Sequence, residues 1–243
     1  MKLSAPIYRL KRNARLMSQD EGVPLHVALD RVAANEGYES WSLLASKLSQ
    51  LSPAKRLYTL FQPGDLILIA ARPGHGKTML SLELVVEALR SKQRSVVFSL
   101  ESTLRECHER LASLGWDIGS MQDRFEFDGS DDIDAGHIVS RLAHAPHGTF
   151  VVIDYLQLLD QRRESPELAD QVRTLRSFAR EKGLTMVFLS QIHRSYDSQV
   201  SPFPNLSNVR LPNELDLGLF DKACFLNNGA LKVSVVRSTV PDS

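Results

Sequence analysis

The most constraining feature of the chain is a short glycine-containing loop between an apolar run and an amphipathic stretch. Residues 71–78 read Ala-Arg-Pro-Gly-His-Gly-Lys-Thr, with the apolar run at 66–70 and the amphipathic stretch from about Met79. Small residues let several backbone N–H groups point at one spot, and the N-terminal dipole of the following helix acts on the same anion site. The segment therefore predicts a strand, a phosphate-binding loop and a helix.

Individual residues of this loop have expected roles. Lys77 supplies a positive charge that reaches the β- and γ-phosphates, and the Thr78 hydroxyl is placed to ligate Mg²⁺. ATP and Mg²⁺ are therefore the expected cofactors. The residues expected to hold the nucleotide are Arg72, Pro73, Gly74, His75, Gly76, Lys77, Thr78 and Met79. Ala71 replaces the usual first glycine, a change that the remaining loop chemistry tolerates.

Composition excludes several function classes. The 243 residues, 43% of them hydrophobic, can bury one substantial core and leave length for an accessory unit. With 29 basic and 29 acidic residues the chain has no overall attraction to nucleic acid or anionic membrane, so any such binding must come from local patches. Cys107 and Cys224 form no Cys/His cluster, which disfavours a disulfide framework or a zinc site.

No membrane partner is expected. No apolar run approaches the ~20 residues that span a bilayer, and the N-terminus lacks the apolar core of a signal peptide. The two cysteines also fit a reducing compartment. The expected location is the cytoplasm.

Residues 1–50 are expected to form a small all-helical accessory unit. Apolar positions recur at helical spacing in three segments, which are 7–17, 28–33 and 38–48. Each segment is too short to be stable alone, so we expect them to pack together around Trp41.

The beginning of this unit is basic. Five basic residues precede the first acid, Asp20, and these are Lys2, Arg9, Lys11, Arg12 and Arg15. Two interpretations stay open: a contact for nucleic acid or a protein partner, and a solvated helix face, which is the favoured one.

Residues 51–243 alternate apolar strands with helical patterns. Strands are predicted at 65–71, 95–100, 149–153 and 184–190, and the clearest helix precedes the last of them. This alternation predicts an α/β fold with a mostly parallel sheet and helices on both faces. Two final apolar runs, 222–226 and 231–236, predict a C-terminal antiparallel hairpin turned at Asn227-Asn228-Gly229.

Two regions depart from that regularity. The stretch 117–134 carries seven acids and one base, so it is a poor candidate for contacting a phosphate backbone and is expected to be a solvated connection. The stretch 194–212 contains Pro202, Pro204 and Pro212 with little periodicity, which is typical of a functional or mobile loop.

Two carboxylates follow apolar runs and are candidates for catalysis. Asp154 ends the run 151–153, and an Asp at a strand end is by itself most often a cap. Paired with the phosphate loop at 71–78, it is expected to hold the Mg²⁺ shell directly or through water. Many ATPases place a water-activating glutamate next, but Tyr155 stands there. Glu101, which follows the run 96–100, is therefore expected to orient and deprotonate the attacking water. The alternative is that the Glu101-Ser102-Thr103 segment only caps a helix.

Over about residues 57–240 these segments, in order and spacing, resemble the motor domain of DnaB-type replicative helicases. The matching pieces are 64–73 leading into Gly76-Lys77-Thr78, Phe98-Ser99-Leu100-Glu101, Ile153-Asp154-Tyr155-Leu156-Gln157-Leu158, and Leu189-Ser190-Gln191 with Arg194-Ser195. Members of that family are RecA-like ATPases that form hexameric rings around single-stranded DNA. The resemblance therefore implies a RecA-like fold, self-association into a hexamer and single-stranded DNA as a partner.

The resemblance also implies roles for catalytic residues beside Lys77. Glu101 would be the catalytic base, and Gln191 would sense the γ-phosphate and couple it to the DNA-facing loop. Arg237 falls where the family places an arginine finger that reaches the neighbouring subunit's site, so hydrolysis would require assembly.

The chain departs from the family at two places. Val235 stands where the family usually has a lysine that contacts the neighbour's γ-phosphate. The loop 195–209 contains no Lys or Arg, so Arg194 and Arg210, which flank it, are the candidate nucleic-acid contacts. Tyr196 and Phe203 either stack on bases or pack the loop down.

Two hypotheses of different classes follow. The first is a Mg²⁺-dependent helicase-type ATPase acting on single-stranded DNA as an oligomer. The second is an ATP-switched assembly or partner-recruiting protein with slow turnover and no translocation, which the residue at 235 and the uncharged loop favour. A metabolite kinase is a distant third, because no lid of phosphate-clamping arginines is recognisable.

Overall fold

The computed structural model describes residues 3–4, 7–49, 51–117, 119, 122–160, 166–199, 201–211 and 213–236. The chain divides into two compact units, Met1–Gln62 and Pro63–Ser243. The first unit thus extends past residue 50, where the sequence places the domain boundary, and that boundary stays a prediction. No helix in the described part of the chain is both long and apolar enough to cross a membrane.

Eight helices and seven strands are described. The helices are α1 (Ile7–Glu21), α2 (Leu25–Asn35), α3 (Trp41–Ser49), α4 (Pro53–Tyr58), α5 (Lys77–Arg90), α6 (Leu104–Ser113), α7 (Ala135–Leu142) and α8 (Leu168–Lys182). The strands are β1 (Leu66–Ala71), β2 (Ser95–Ser99), β3 (Phe125–Asp128), β4 (Phe150–Asp154), β5 (Thr185–Gln191), β6 (Lys222–Asn227) and β7 (Ala230–Val235). Short 3₁₀ turns occur at Gln122–Arg124, Leu156–Asp160, Leu206–Asn208 and Leu217–Leu219.

The first unit is helical, as predicted. Its core is formed by buried positions of α1 and α2, with Trp41 of α3 packed against it, and these positions are Leu10, Ala14, Ala28 and Val32. The Asp30 carboxylate accepts a hydrogen bond of 2.8 Å from the Trp41 backbone N–H, which joins α2 to the start of α3.

The basic face of α1 lies in solvent where it is described. Lys11, Arg12 and Arg15 are exposed, and the Lys11 ammonium lies 6.0 Å from the centre of the Trp41 ring. Lys2 and the Arg9 side chain lie outside the described residues. This placement agrees with the favoured solvated face, and a partner bound through residues 1–50 stays a prediction.

The second unit is built on a seven-stranded sheet in the order β3-β2-β4-β5-β1-β6-β7. Every neighbouring pair is parallel except β6 and β7, which are antiparallel. The predicted mostly parallel sheet with a C-terminal antiparallel hairpin is therefore confirmed. Asn228 and Gly229 turn the hairpin with φ of 48° and 78°, as a tight turn between two strands requires.

Helices cover both faces of this sheet because its strands are apolar on both sides. Alternate residues of β1, such as Leu66 and Leu68, belong to one large cluster with Leu142 of α7 and Leu175 of α8. The opposite face lies against α5 and α6, since Val97 and Val152 line a cavity together with Leu82 and Cys107. Cys107 and Cys224 are buried and free, which agrees with their expected role as small apolar residues.

The acidic stretch 117–134 is not merely a solvated connection, and that prediction was wrong. It contains β3, whose residues 125–128 pair in parallel with 95–98 of β2 at the edge of the sheet. The Glu126 carboxylate accepts hydrogen bonds from Arg94 and Arg141, and Asp128 accepts from His137 at 2.9 Å. Cationic partners from elsewhere in the chain thus neutralise acids that the local sequence presents as a solvated run.

Candidate active site

The phosphate loop connects β1 directly to α5. Gly74 and Gly76 adopt φ of 78° and 86°, a left-handed conformation that side chains with a Cβ rarely take. A Cβ built on either glycine meets nothing within 4 Å, so backbone conformation and not crowding requires glycine there. The space beside the loop is therefore open to a ligand.

The first turn of α5 faces this space. Gly76 is the N-cap residue and provides no side-chain cap for the N–H groups of that turn. Uncapped N–H groups together with the helix dipole form an anion site, which suits a triphosphate.

Lys77 and Glu101 meet across the site. Lys77 Nζ lies 3.3 Å from Glu101 Oε2, and the exposed fractions of the two side chains are 11% and 35%. The lysine predicted to contact the γ-phosphate and the glutamate predicted to activate water thus lie at one place. Thr103, and not Glu101, caps α6, because its hydroxyl accepts from Glu106 N–H while the Glu106 side chain accepts from Thr103 N–H.

Thr78 and Asp154 form a second pair beside the first. The Thr78 hydroxyl donates to Asp154 Oδ2 at 3.2 Å. Asp154 is 2% exposed, and its other oxygen, Oδ1, is buried without a hydrogen-bond partner among the described residues. A hydroxyl and a carboxylate oxygen left free are hard ligands that fit Mg²⁺, whose remaining ligands would be phosphate oxygens and water.

The electrostatics of Asp154 agree with a site for a cation. Burial raises the pKa of its carboxyl group to about 6 from an ordinary value of 3.8. The charge of Lys77 lowers that pKa, Glu101 raises it, and the hydrogen bond from Thr78 and the charge of Arg110 lower it. A buried carboxylate in this position gains stability from a positive charge delivered to its free oxygen.

The segment that carries Glu101 is held by hydrogen bonds that the sequence did not reveal. The Ser99 hydroxyl, at the end of β2, accepts from the backbone N–H groups of Glu101 and Ser102, both at 3.2 Å. Arg110 of α6 donates to the Ser102 hydroxyl at 2.8 Å and lines the same small cavity as Asp154. Ser99 lies within the Phe98-Ser99-Leu100-Glu101 motif, whereas no sequence signal pointed to Arg110.

Gln191, the predicted γ-phosphate sensor, lies beside the phosphate loop. It is the last residue of β5 and pairs with Ala71, the last residue of β1. Its side-chain oxygen accepts from the Arg210 guanidinium at 3.5 Å, and its carbonyl accepts from Arg210 N–H at 2.7 Å. The sensor candidate and a candidate nucleic-acid contact are thus joined.

Gln157 supports this junction and was missed as a functional residue. Its side-chain amide donates to the Arg210 carbonyl at 2.6 Å and to the Ser190 hydroxyl at 3.1 Å. Gln157 follows β4, so one side chain connects the chain after Asp154 to the end of β5. Its place in the Ile153–Leu158 segment of the family motif was the available signal.

Other predicted site residues are placed differently. The Arg72 side chain bonds to the carbonyls of Arg194 and Tyr196, and His75 Nδ1 accepts from Asn228 N–H at 3.3 Å. Pro73 belongs to the loop itself, and Met79 to the first turn of α5. Arg194 is exposed, and Arg237 lies outside the described residues. Their assignments to nucleotide, nucleic acid and a neighbouring site stay predictions.

The fold and the site's order along the chain match known proteins. A family model described as "ATPase: KaiC" matches residues 57–207. The chain belongs to the KaiC family of ATPases. The matched region contains the phosphate loop, Glu101, Asp154 and Gln191.

Curated relatives of this chain include replicative DNA helicases named DnaB. It is 30% identical over 199 residues to the replicative DNA helicase DnaB of Pasteurella multocida, and the match covers 65% of this chain and 42% of that one. It is 27% identical over 187 residues to DnaB of Geobacillus stearothermophilus, covering 64% and 41%. The chain thus spans about two fifths of the length of these relatives. The predicted resemblance to the DnaB-type motor domain is confirmed.

Solved structures confirm the RecA-like helicase-domain fold. A DnaB-like replicative helicase, whose structure was described with its interactions with primase, superposes with a TM-score of 0.60 at 19% identity, covering 96% of this chain and 72% of that one. A second solved structure, an ATPase domain, superposes with a TM-score of 0.58 at 18% identity, covering 82% and 90%. At these identities the likeness concerns the fold alone.

Proposed function

We propose that this KaiC-family ATPase hydrolyses ATP with Mg²⁺ as a DnaB-like, helicase-type motor that acts on single-stranded DNA as a hexamer. The observation that carries the proposal is the meeting of Lys77 with Glu101 beside Thr78 and Asp154. Lys77 and Glu101 supply a positive charge and a base at the γ-phosphate, and Thr78 and Asp154 supply oxygen ligands for a cation.

The chemistry assigned to these residues is a direct attack by water. Glu101 orients the water and accepts its proton while the water oxygen bonds to the γ-phosphorus and the bond to the bridging oxygen breaks, giving ADP and phosphate. Lys77 neutralises charge that develops on the phosphate oxygens. Thr78 and Asp154 would hold Mg²⁺, which neutralises the β- and γ-phosphates when bound.

The position of the last described residues supports action between subunits. Val235 pairs with Lys222 at the beginning of β6, and Val236 N–H donates to the Asp221 carbonyl at 3.0 Å. Val235 and Val236 thus lie at the opposite end of the strands from the phosphate loop. The separation along the strands is about 20 Å, because strands rise ~3.3 Å per residue. Arg237, which follows Val236 in the sequence, is proposed as the finger that serves a neighbouring subunit.

A coupling between the ATP site and DNA is proposed through Gln191 and Arg210. Their side chains touch, and Arg210 is exposed at the end of the loop that follows β5. Relatives carry the name replicative DNA helicase, which supports DNA as the partner. The expected cytoplasmic location stays a prediction.

An ATP-switched assembly protein with slow turnover is the second candidate. Tyr196 is 5% exposed and its hydroxyl donates to the Ser201 carbonyl at 2.7 Å, so it packs the loop down. Phe203 is half-buried, and the loop carries no cation between Arg194 and Arg210. Val235 is 54% exposed at the position where the family has a lysine. These features weaken a groove that tracks phosphates.

Steady-state ATP hydrolysis with and without single-stranded DNA, together with the particle mass in solution, tests the proposal. Stimulation by DNA in a hexamer supports the motor. A slow ATPase indifferent to DNA supports the assembly protein. DNA affinity that hardly changes between low and high salt also favours the assembly protein, because phosphate contacts lose affinity steeply as salt rises.

A further inference from the structure

The Arg72 side chain attaches the phosphate loop to the segment that follows β5. Arg72 Nη2 donates to the carbonyl of Arg194 at 2.9 Å and also to that of Tyr196. The guanidinium carbon lies 5.6 Å from the centre of the Tyr196 ring, within cation–π range. One arginine therefore ties the loop after β1 to the segment that follows β5.

The attached segment is itself folded. The Tyr196 hydroxyl donates to the Ser201 carbonyl, which ties these two residues together. An antiparallel bridge between Ile192 and Val209 closes the base of the larger loop. At its far side the Asn227 amide, beside the hairpin turn, donates to the Pro202 carbonyl at 2.9 Å. A displacement of Arg72 would therefore move the connected residues of this segment together.

We propose that Arg72 is a positioning residue that ties the phosphate loop to segment 194–199 and transmits nucleotide binding to it, rather than a phosphate ligand. The planar guanidinium suits this role, because it can donate to two carbonyls and lie over a ring at once. A lysine at this position offers a single point charge and satisfies only part of the contact. The proposal rests on the proposed nucleotide site.

A positioning role and a phosphate-binding role for Arg72 predict opposite results. For Arg72→Ala we expect the affinity for a fluorescent ADP analogue to stay within about threefold, because the backbone N–H groups and Lys77 remain. We expect amide hydrogen exchange of residues 195–199 to rise by about tenfold, since the segment loses its attachment. The change in their exchange on adding nucleotide should also disappear.

Three further variants make the test specific. Arg72→Lys should recover part of the protection. Tyr196→Leu removes the aromatic ring and leaves the phosphate loop unchanged. This variant should reproduce the faster hydrogen exchange with unchanged nucleotide affinity. Arg105→Ala, whose side chain is 89% exposed on α6, should change neither quantity.

The proposal is overturned if Arg72→Ala weakens nucleotide binding by about tenfold or more while the hydrogen exchange of residues 195–199 is unchanged, because that is the pattern of a phosphate contact. If nucleotide does not change the hydrogen exchange of these residues in the wild-type protein, the proposed transmission of nucleotide binding is overturned. If the wild-type protein binds no nucleotide, the proposed function fails, whereas exchange in the free protein still tests the attachment.

Discussion

Lys77 Nζ lies 3.3 Å from Glu101 Oε2, although the two residues are 24 positions apart. Lys77 begins α5, and Glu101 follows β2, a strand separated from β1 by β4 and β5. The ion pair therefore crosses the carboxyl ends of strands β1, β5, β4 and β2. A γ-phosphate placed between the two groups would be contacted by the lysine and faced by the base.

Replacing the base tests this arrangement. Glu101→Gln keeps the size of the side chain but removes its ability to accept a proton. We expect ATP hydrolysis to fall by about 10²–10⁴-fold while nucleotide affinity is retained. Glu109→Gln, with a side chain 61% exposed on α6, is the matched control and should hydrolyse ATP normally. Full activity in Glu101→Gln would mean that the base lies elsewhere.

The buried carboxylate of Asp154 predicts a pH-dependent stability. Its pKa is raised to about 6, so between about pH 4 and 6 the folded protein binds more protons than the unfolded chain. Stability of the metal-free protein therefore falls as pH rises through that window. A pKa of about 6 in place of 3.8 corresponds to roughly 3 kcal/mol at neutral pH, as an upper bound.

Asp154→Asn should remove this penalty and the metal site together. In EDTA we expect the variant to be about 1–3 kcal/mol more stable than wild type at pH 8 and equally stable near pH 4, as measured by urea unfolding. Hydrolysis with Mg²⁺ should be lost. Asp20→Asn, on the exposed surface of α1, serves as the control. Equal stability of Asp154→Asn and wild type at both pH values would contradict the prediction.

Mixing two inactive variants tests the proposed finger. Lys77→Ala and Arg237→Ala should each lose hydrolysis, but a mixed ring contains interfaces with an intact loop on one side and an intact arginine on the other. About one interface in four is complete after random mixing, so part of the activity should return.

The matched control for that experiment mixes Lys77→Ala with Glu101→Gln. Both changes fall in the same subunit's half of the site, as their 3.3 Å contact shows, so every interface stays defective. Recovery in this control would mean that Glu101 serves a neighbouring subunit's site or that a preparation contains active protein. Absence of recovery with Arg237→Ala would argue against a finger acting between subunits.

The edge strand β3 depends on the partners of Asp128. Its carboxylate accepts hydrogen bonds from His137 Nε2 at 2.9 Å and from Ser130 N–H at 3.0 Å, and it forms an ion pair with Arg141 Nε at 3.2 Å. Burial raises the pKa of Asp128, but these hydrogen bonds and charges outweigh it and lower the pKa overall. The stability it contributes is therefore present above its ordinary pKa and lost as pH falls through the lowered one.

Asp128→Asn should destabilise the protein by about 1–3 kcal/mol at pH 7 in urea unfolding, with a smaller difference in acid. Asp123→Asn, an exposed acid of the same stretch, should change stability little. Equal effects of the two substitutions would mean that the Asp128 contacts do not stabilise the edge strand.

The sequence by itself determined those parts of the protein that depend on neighbouring residues. The loop between β1 and α5 was predicted correctly because its glycines, its lysine and both flanking elements are contiguous. The hairpin β6–β7 followed from two apolar runs around Asn228 and Gly229. Helices α1 to α3 followed from apolar spacing. In each case backbone preference and periodicity agree with the final fold.

Only the tertiary structure decided which distant groups meet. Local sequence indicated Lys77 and Glu101 as site residues, and the family resemblance implied Gln191. The distances between these residues depend on strand order, which periodicity does not encode. Strand β3 was missed because Arg94 and Arg141, outside the acidic stretch, neutralise Glu126. The contacts of Arg72 and Arg110 were equally invisible, since a long flexible side chain takes its partner from the packing around it and not from its neighbours in sequence.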